Sequence, residues 1–257
     1  MLIVLSPAKT LDYASPIVEL EPTRPEFAAD ARRLVSVLRE LSPLEVARLM
    51  DLSDALAALN VARYAAFRAA PRAGDARPAV LAFDGDVYDG LRARELDAES
   101  LAFAQRRLRI LSGLYGVLRP LDAMQPYRLE MGTRLATERG RDLYAFWGER
   151  PARALRRALR EAGGGTLVNL ASEEYFRAVD PDALGVPVVQ PVFQDRRGDG
   201  WKVISFNAKR ARGAMARFAI EHRLEDPQGL KAFDADGWRF APRVSDASSW
   251  VFRRDAG

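Results

Sequence analysis

Apolar and polar positions along this chain follow two periods, which predict helices and strands in irregular succession. Recurrence at three- and four-residue spacing predicts amphipathic helices, and two of the helix starts carry serine caps, at Ser42 and Ser53. The predicted helices are 25–41, 42–50, 53–67, 97–109, 148–162 and 208–223. Short apolar or alternating runs predict strands at 2–6, 78–83, 166–170, 186–194, 201–207, 238–240 and 250–252.

This succession has no clean strand–helix–strand period, so it predicts a mixed α/β (α+β) fold. We expect one domain over 1–257, with a mixed sheet or a barrel-like core surrounded by helices. No apolar run reaches the roughly 18 residues that a membrane span needs, and 2–5 is too short for a signal sequence. The expectation is a cytoplasmic monomer without a membrane partner.

Composition narrows the chemistry. The chain has no cysteine and a single histidine, His222. Disulfides and thiolate-held clusters are therefore excluded, and a metal site built on imidazole is nearly so. We expect no cofactor and no metal. The formal charge of +4 is compatible with an anionic partner without requiring one.

Polar loops follow three of the predicted strands, with the sequences SPAKTLD, DGDVYDG and NLASEEY. If they converge with the loop around Arg128, they form a pocket that can bind an anion and move a proton. In the enzymatic interpretation Lys9 is general base or nucleophile, Asp12 orients it, and Arg128 clamps a carboxylate or phosphate. The catalytic candidates are Lys9, Asp12, Asp86, Arg128 and Glu130, and the candidates for the substrate pocket are Ser6, Tyr88, Asn169 and Ser172. The alternative is that Asp84, Asp86 and Asp89 merely stabilise turns.

Two segments suit a nucleic acid backbone. The glycine-rich stretch Gly113–Arg119 lies in 108–132 and loosely matches a helix-hairpin-helix, whose main-chain amides bind phosphate. The last predicted helix carries a basic stripe. The nucleic-acid candidates are Gly113, Tyr115, Gly116, Arg119, Lys209, Arg210, Arg212 and Arg217. The alternatives are an ordinary connection and a solvated helix face.

Six motifs closely resemble the YaaA family of bacterial peroxide-stress proteins, in order and over essentially the whole chain. They lie at 6–13, 85–91, 108–132, 142–148, 169–176 and 204–218. The resemblance implies a cytosolic protein that limits oxidative damage to DNA and protein and is associated with lowered free iron. It also implies double-stranded DNA binding through a positive cleft and a helix-hairpin-helix-like element on a single-domain α/β fold. Asp84 departs from the family pattern, which commonly has lysine there.

Two functions therefore stay open. The leading hypothesis is a DNA-binding peroxide-stress protein with sequence-independent phosphate contacts. The alternative is an enzyme acting on a small anionic substrate through a Lys/Asp/Arg pocket. Without cysteine the chain cannot destroy peroxide by thiol chemistry, so any protection is indirect.

Overall fold

A short strand, β1 (Leu2–Leu5), lies at the centre of the fold, and its four side chains are at most 1% exposed. Successive side chains of a strand point to opposite faces, so both faces of this sheet are covered. The structure is a computed structural model that describes residues 1–16, 20–72 and 74–255.

Eight strands form the main sheet, in the order β11-β12-β9-β8-β1-β5-β6, with β10 paired to β9. The pairs β2–β4 and β3–β7 form two small separate sheets. The remaining strands are β2 (Thr10–Leu11), β3 (Arg77–Pro78), β4 (Phe83–Asp84), β5 (Leu108–Ser112), β6 (Gly116–Leu118), β7 (Ala123–Met124), β8 (Leu167–Leu170), β9 (Val188–Arg197), β10 (Gly200–Lys202), β11 (Arg239–Phe240) and β12 (Ser249–Arg254).

Five strands of the main sheet are parallel, namely β5, β1, β8, β9 and β12. Ranked by their position along the chain, they lie in the order 2-1-3-4-5. This is the order of one common class of open α/β sheet, in which ligands bind at the carboxyl ends of the strands where the order reverses. Here the reversal lies between β1 and β8.

Helices fill the connections and cover the sheet. They are α1 (Ala28–Arg39), α2 (Pro43–Met50), α3 (Asp54–Ala66), α4 (Ala79–Ala82), α5 (Asp86–Leu91), α6 (Ala98–Arg107), α7 (Leu143–Trp147), α8 (Arg150–Glu161), α9 (Glu173–Phe176), α10 (Pro181–Leu184) and α11 (Ser205–Glu221). Short 3-10 turns occupy 93–95, 227–232, 235–237 and 242–244. None of the helices in the described ranges has the length and apolarity that crossing a membrane requires.

The longest helix, α11, packs directly on α5 through glycine. A Cβ added at Gly213 would lie 1.7 Å from the Val87 carbonyl oxygen, and one at Gly90 would lie 2.0 Å from that of Arg210. The two backbones therefore touch, and no larger residue fits between them. This contact fixes the position of α11 beside the loop that begins α5.

The mixed α/β prediction is confirmed, and the sheet is open rather than barrel-like because its order ends at β11 and β6. The strands predicted at 238–240 and 250–252 correspond to β11 and β12, which pair antiparallel. The strand predicted at 78–83 is wrong, since α4 interrupts it. The strand predicted at 201–207 ends at Lys202, and α11 begins at Ser205.

The glycine-rich stretch differs most from expectation. It forms an antiparallel β hairpin, with Ile110 opposite Leu118 and Ser112 opposite Gly116. A Cβ at Gly113 would lie 2.2 Å from the Leu129 carbonyl oxygen, and Gly116 has φ +66° and lies against the Trp147 ring. The helix-hairpin-helix predicted at Gly113–Arg119 is therefore wrong, because these glycines permit close packing in the core.

Candidate functional site

A cavity of about 410 Å³ opens beside the carboxyl ends of β1 and β8, where the strand order reverses. We call it the carboxyl-edge cavity. Loops after β1, β4 and β8, the loop before Gly132 and the first turns of α11 all reach it. Its polar lining includes Ser6, Lys9, Asp86, Glu130, Ser172, Glu174, Tyr175, Lys209 and Arg212.

Two serines join the strand ends. Ser6 follows β1, and its Oγ accepts the Ser172 N–H at 2.8 Å while lying 3.2 Å from the Ser172 Oγ, to which it donates. The Ser172 hydroxyl proton has no acceptor among the described residues. Ser172 therefore has a hydroxyl proton available to a ligand in the cavity.

Glu130 lies between two cations. Its Oε1 is 2.8 Å from Lys9 Nζ and 3.2 Å from an Arg128 terminal nitrogen. The Arg128 Nε is buried without a hydrogen-bond partner among the described residues. The structure thus brings together three of the five catalytic candidates, with Lys9 the most exposed of them.

The cavity's other two cations come from α11. Lys209 Nζ is 4.0 Å from an Asp86 carboxylate oxygen, which is a loose pair. Arg212 is partly buried, and no carboxylate or hydrogen-bond acceptor among the described residues contacts its guanidinium. Burial lowers the pKa of Arg212. An unpaired guanidinium in a cavity favours an anionic ligand.

Asp12 does not orient Lys9, so this prediction is wrong. Its carboxylate accepts the Ser15 and Ala14 N–H groups at 2.9 and 3.0 Å and pairs with Arg94 at 2.6 Å. Hydrogen bonds from Ser15, first of all, hold its pKa at about 2, with smaller contributions from Ala14 and Arg94. Asp12 stabilises its own loop, and Glu130 is the carboxylate that contacts Lys9.

Two of the predicted pocket residues lie beneath the cavity and hold its strand ends through hydrogen bonds. Tyr88 is buried and donates its hydroxyl to the Ser6 carbonyl oxygen at 3.0 Å, and burial raises its pKa. Asn169 is 2% exposed, and its Oδ1 accepts the Ala171 N–H at 2.9 Å. Both residues hold the strand ends in place, and neither lines the carboxyl-edge cavity.

The predicted nucleic-acid residues of the glycine-rich stretch are not available to a phosphate backbone in this structure. Gly113, Tyr115 and Gly116 are buried. Arg119 donates to the buried Asp122 carboxylate at 2.8 Å and to a backbone carbonyl. Core packing therefore occupies Gly113 and Gly116, and an ion pair occupies Arg119.

The basic stripe on the last helix divides into different environments. Its middle, at Gly213, packs on α5. Arg217 pairs with Glu95, in the 3-10 turn after α5, at 3.2 Å and with Glu221 of its own helix at 2.8 Å. Arg217 is thus a structural ion-pair partner, contrary to its predicted contact with phosphate. Arg210 is exposed and pairs loosely with Asp236 at 3.7 Å.

Three residues of this region were not predicted. Glu174 accepts the Gly132 N–H at 2.9 Å, and Tyr175 is buried, which raises its pKa. Phe206, in the first turn of α11, is 60% exposed. In a sequence, an apolar residue beside a basic cluster can indicate a stacking contact. This signal was missed because Phe206 was assigned to the strand predicted over 201–207.

Two helices elsewhere have the order of a helix-hairpin-helix. The connection 51–53 joins α2 to α3, the helices pack on each other, and Asp51 has a left-handed backbone. Asp51 and Asp54 place two carboxylates at this connection. Their charge disfavours phosphate there.

These features define an α/β protein with an open mixed sheet and a polar cavity at its carboxyl edge. The family model of the peroxide stress protein YaaA matches residues 1–244. UPF0246 proteins of Ralstonia pickettii and Ralstonia nicotianae are each 57% identical to this chain, over 254 and 256 residues. These matches cover 99% of this chain and of the first relative, and 100% of both for the second. A UPF0246 protein of Azoarcus is 56% identical over 258 residues, with 99% of each chain covered.

The chain belongs to the YaaA peroxide stress protein family, and this membership supports a role in peroxide stress. Among the described residues, no three histidine, aspartate or glutamate side chains are grouped so that they could hold a metal ion.

Proposed function

We propose that the carboxyl-edge cavity binds a small anionic ligand, a carboxylate or a phosphate, as part of the family's role in peroxide stress. The observation that carries this proposal is Arg212, whose guanidinium lines the cavity without a counterion among the described residues. The location supports it, because open α/β sheets bind ligands where the strand order reverses.

The other polar groups suit the same ligand. The free Ser172 hydroxyl proton donates to an oxyanion, and Lys209 adds charge because its pair with Asp86 is loose. Four carboxylates also line the cavity, those of Asp84, Asp86, Glu130 and Glu174. Lys9 and Arg128 contact Glu130, and Glu174 accepts the Gly132 N–H, so the ligand is expected at the Arg212 and Ser172 side of the lining. In an enzymatic reaction Lys9 and Glu130 are the pair positioned to exchange a proton with the ligand.

Calorimetry with phosphate and with citrate tests the proposal. Arg212→Gln is expected to weaken binding roughly ten- to hundredfold, because hydrogen bonds to charged groups contribute about 1.5–3 kcal/mol. Arg210→Gln is the matched control, since Arg210 lies on the same helix outside the cavity lining. Equal losses in the two variants would contradict a site at Arg212.

A second function, binding of double-stranded DNA, is favoured by the exposed groups around the start of α11. Phe206 is 60% exposed, and Lys209 and Arg210 follow it on the same helix. Beyond them a larger cavity lies at the carboxyl ends of β9 and β12 and is lined by Arg197 and Arg239, among others. These basic groups follow one edge of the sheet, as a phosphate backbone requires.

We propose the DNA contact at α11 rather than at the α2–α3 pair. Four arginines outnumber three aspartates in the cavity beyond α11, whereas Asp51 and Asp54 place two carboxylates at the α2–α3 connection. Fluorescence anisotropy with a labelled duplex at rising salt tests it. Neutralising Arg210 and Arg239 together should reduce the slope of log affinity against log salt by about 2, since each phosphate contact contributes about 0.9. Arg33→Gln on α1 is the control. An unchanged slope in the double variant would exclude this surface.

A lowering of free intracellular iron is also proposed, as a consequence of anion binding at the carboxyl-edge cavity rather than of iron binding by this chain. Free iron in peroxide-treated cells should rise when the protein is deleted. It should fall again with the wild-type chain and not with Arg212→Gln. Restoration by Arg212→Gln would separate the iron effect from the cavity.

A further inference from the structure

We propose that a second cavity, the aromatic cleft, binds a nucleoside monophosphate. It has a volume of about 450 Å³, lies between the start of α1 and the segment 67–71, and is lined by Arg24, Arg32, Phe67, Arg68, Tyr115 and Gln125, among others. It shares no lining residue with the carboxyl-edge cavity. Its size falls in the range of small-molecule sites, about 300–1,000 Å³.

All charged residues that line the aromatic cleft are basic. Arg24, Arg32 and Arg68 line it, and its lining contains no acidic residue, whereas the carboxyl-edge cavity has four carboxylates. Arg24 and Arg32 pair with no carboxylate among the described residues, and Arg68 is 3.8 Å from Asp75. Three weakly compensated guanidinium groups favour a phosphate.

The start of α1 adds to this preference. Ala28 and Arg32 lie one turn apart on α1 and both line the cleft, so the first turn of the helix opens onto it. Phe27, at the N-cap, supplies no side-chain hydrogen bond to the free N–H groups. The helix dipole therefore stabilises negative charge on the side where Arg32 lies.

Aromatic and apolar side chains form the apolar wall of the cleft. The rings of Phe67 and Tyr115 lie 6.3 Å apart between centroids, and Pro25, Pro71 and Ala123 also line the cleft. A flat base can stack there, as bases do on aromatic side chains. A nucleotide contacts both the apolar wall and the arginines, whereas a free phosphate ion contacts only the arginines. The apolar wall therefore favours binding of the nucleotide.

A polar group is available to the base. The Tyr115 hydroxyl is buried and accepts the Gln125 N–H at 3.1 Å, while its own proton has no acceptor among the described residues. A ring nitrogen or carbonyl of a base could accept that proton. The wall is also preformed, because the Gln125 side chain accepts the Arg68 N–H at 2.9 Å and donates to the Arg68 carbonyl at 2.8 Å.

Calorimetry on the full chain and on its Arg212→Gln variant, with AMP, GMP, CMP and UMP, their nucleosides, ribose 5-phosphate and inorganic phosphate, tests the proposal. In Arg212→Gln, where the carboxyl-edge cavity no longer contributes phosphate binding, at least one monophosphate should bind roughly tenfold or more tightly than inorganic phosphate and than its own nucleoside, because only the nucleotide contacts both the arginines and the apolar wall. No binding by any of the four, or equal binding of inorganic phosphate in Arg212→Gln, would overturn the proposal.

Variants then locate the site. Arg32→Gln should weaken nucleotide binding roughly tenfold while adenosine binding is unchanged, and Phe67→Leu should weaken both. Arg33→Gln is the matched control, because Arg33 is the next residue on α1 and pairs with Asp30 outside the cleft. Equal losses in Arg32→Gln and Arg33→Gln would contradict the cleft.

Arg212→Gln separates this proposal from the one for the carboxyl-edge cavity. It should leave nucleotide binding unchanged while phosphate binding at the other cavity is lost. Loss of nucleotide binding in Arg212→Gln would show that the nucleotide occupies the carboxyl-edge cavity and would overturn the inference. Circular dichroism tests whether Phe67→Leu is folded. Arg32 is exposed, so Arg32→Gln is expected to fold and tests the cleft even if Phe67→Leu does not fold.

Discussion

The two halves of 108–132 both contain glycine and differ in their use. The first half is a β hairpin inside the core, where Gly113 packs on the Leu129 backbone and Gly116 on Trp147. The second half contains both prolines, leaves the sheet and carries Arg128 and Glu130 toward the carboxyl-edge cavity. Glycine alone therefore does not distinguish a binding loop from tight packing. Strand pairing, which depends on distant partners, makes the difference.

The largest effect is expected at Trp147, which packs against the hairpin half of 108–132. Its ring is fully buried, and its indole N–H donates to the Gly113 carbonyl at 2.9 Å. Trp147→Ala should lower the free energy of unfolding by about 3–5 kcal/mol, measured by urea titration. The anion affinity of the folded fraction should not change. A fall in affinity at constant folded fraction would show that the hairpin takes part in binding.

A smaller effect is expected at the hydroxyl pair that joins the two halves. Ser112 and Tyr127 are buried with their oxygens 2.6 Å apart. Tyr127→Phe leaves the Ser112 hydroxyl without this partner and should cost about 1–3 kcal/mol of unfolding free energy. Thermal and urea unfolding measure it. Ser112→Ala combined with Tyr127→Phe should not recover the loss, because the Ser112 Oγ also accepts the buried Tyr115 N–H at 2.9 Å.

Asp12 gives a pH-dependent effect. Its folded pKa of about 2 lies below the usual value of 3.8, so its charged form stabilises the folded state. The contribution is fully present above pH 3.8 and is lost as the pH falls toward 2. Asp12→Asn should therefore be less stable than wild type at pH 7, with a difference that shrinks below about pH 4. A constant difference from pH 7 to pH 3 would contradict this assignment.

The smallest effect on stability is expected at Arg212. Because its charge is partly buried and unpaired among the described residues, Arg212→Gln should keep the unfolding free energy within about 0.5 kcal/mol of wild type or raise it. The same variant loses anion binding if the proposed function holds. A large loss of stability would instead make Arg212 part of the structural framework, like Arg217.

The sequence predicts the periodic elements well, because local patterning determines them. The serine cap at Ser42 and the helical spacing of 25–41 correspond to α2 and α1. It does not predict the two small sheets. Their strands β2, β3 and β4 are two residues long and have no period to detect, and their pairing depends on neighbours far along the chain.

The sequence predicted many of the residues of the site but not which of them contact one another. Ser6, Lys9, Ser172 and Glu130 meet because β1 and β8 are neighbours in the sheet, which no local pattern reveals. Asp12 follows Lys9 by three residues, yet a turn stabilised by Ser15 directs its carboxylate away. The basic stripe failed for a related reason, because Gly213 fits against α5 and the helix face through it is covered.

The pairing of β1 also has a consequence for how the chain folds. Ile3 lies beside Leu108 on one side and Val168 on the other, so the central strand finds its partners only across long loops. Closing such loops costs entropy before any contact compensates it, which slows folding. Until β8 pairs with β1, the apolar residues 2–5 are exposed and can associate with other chains. The strand that positions Ser6 is therefore completed late, and the site at its end forms only when β8 has paired with it.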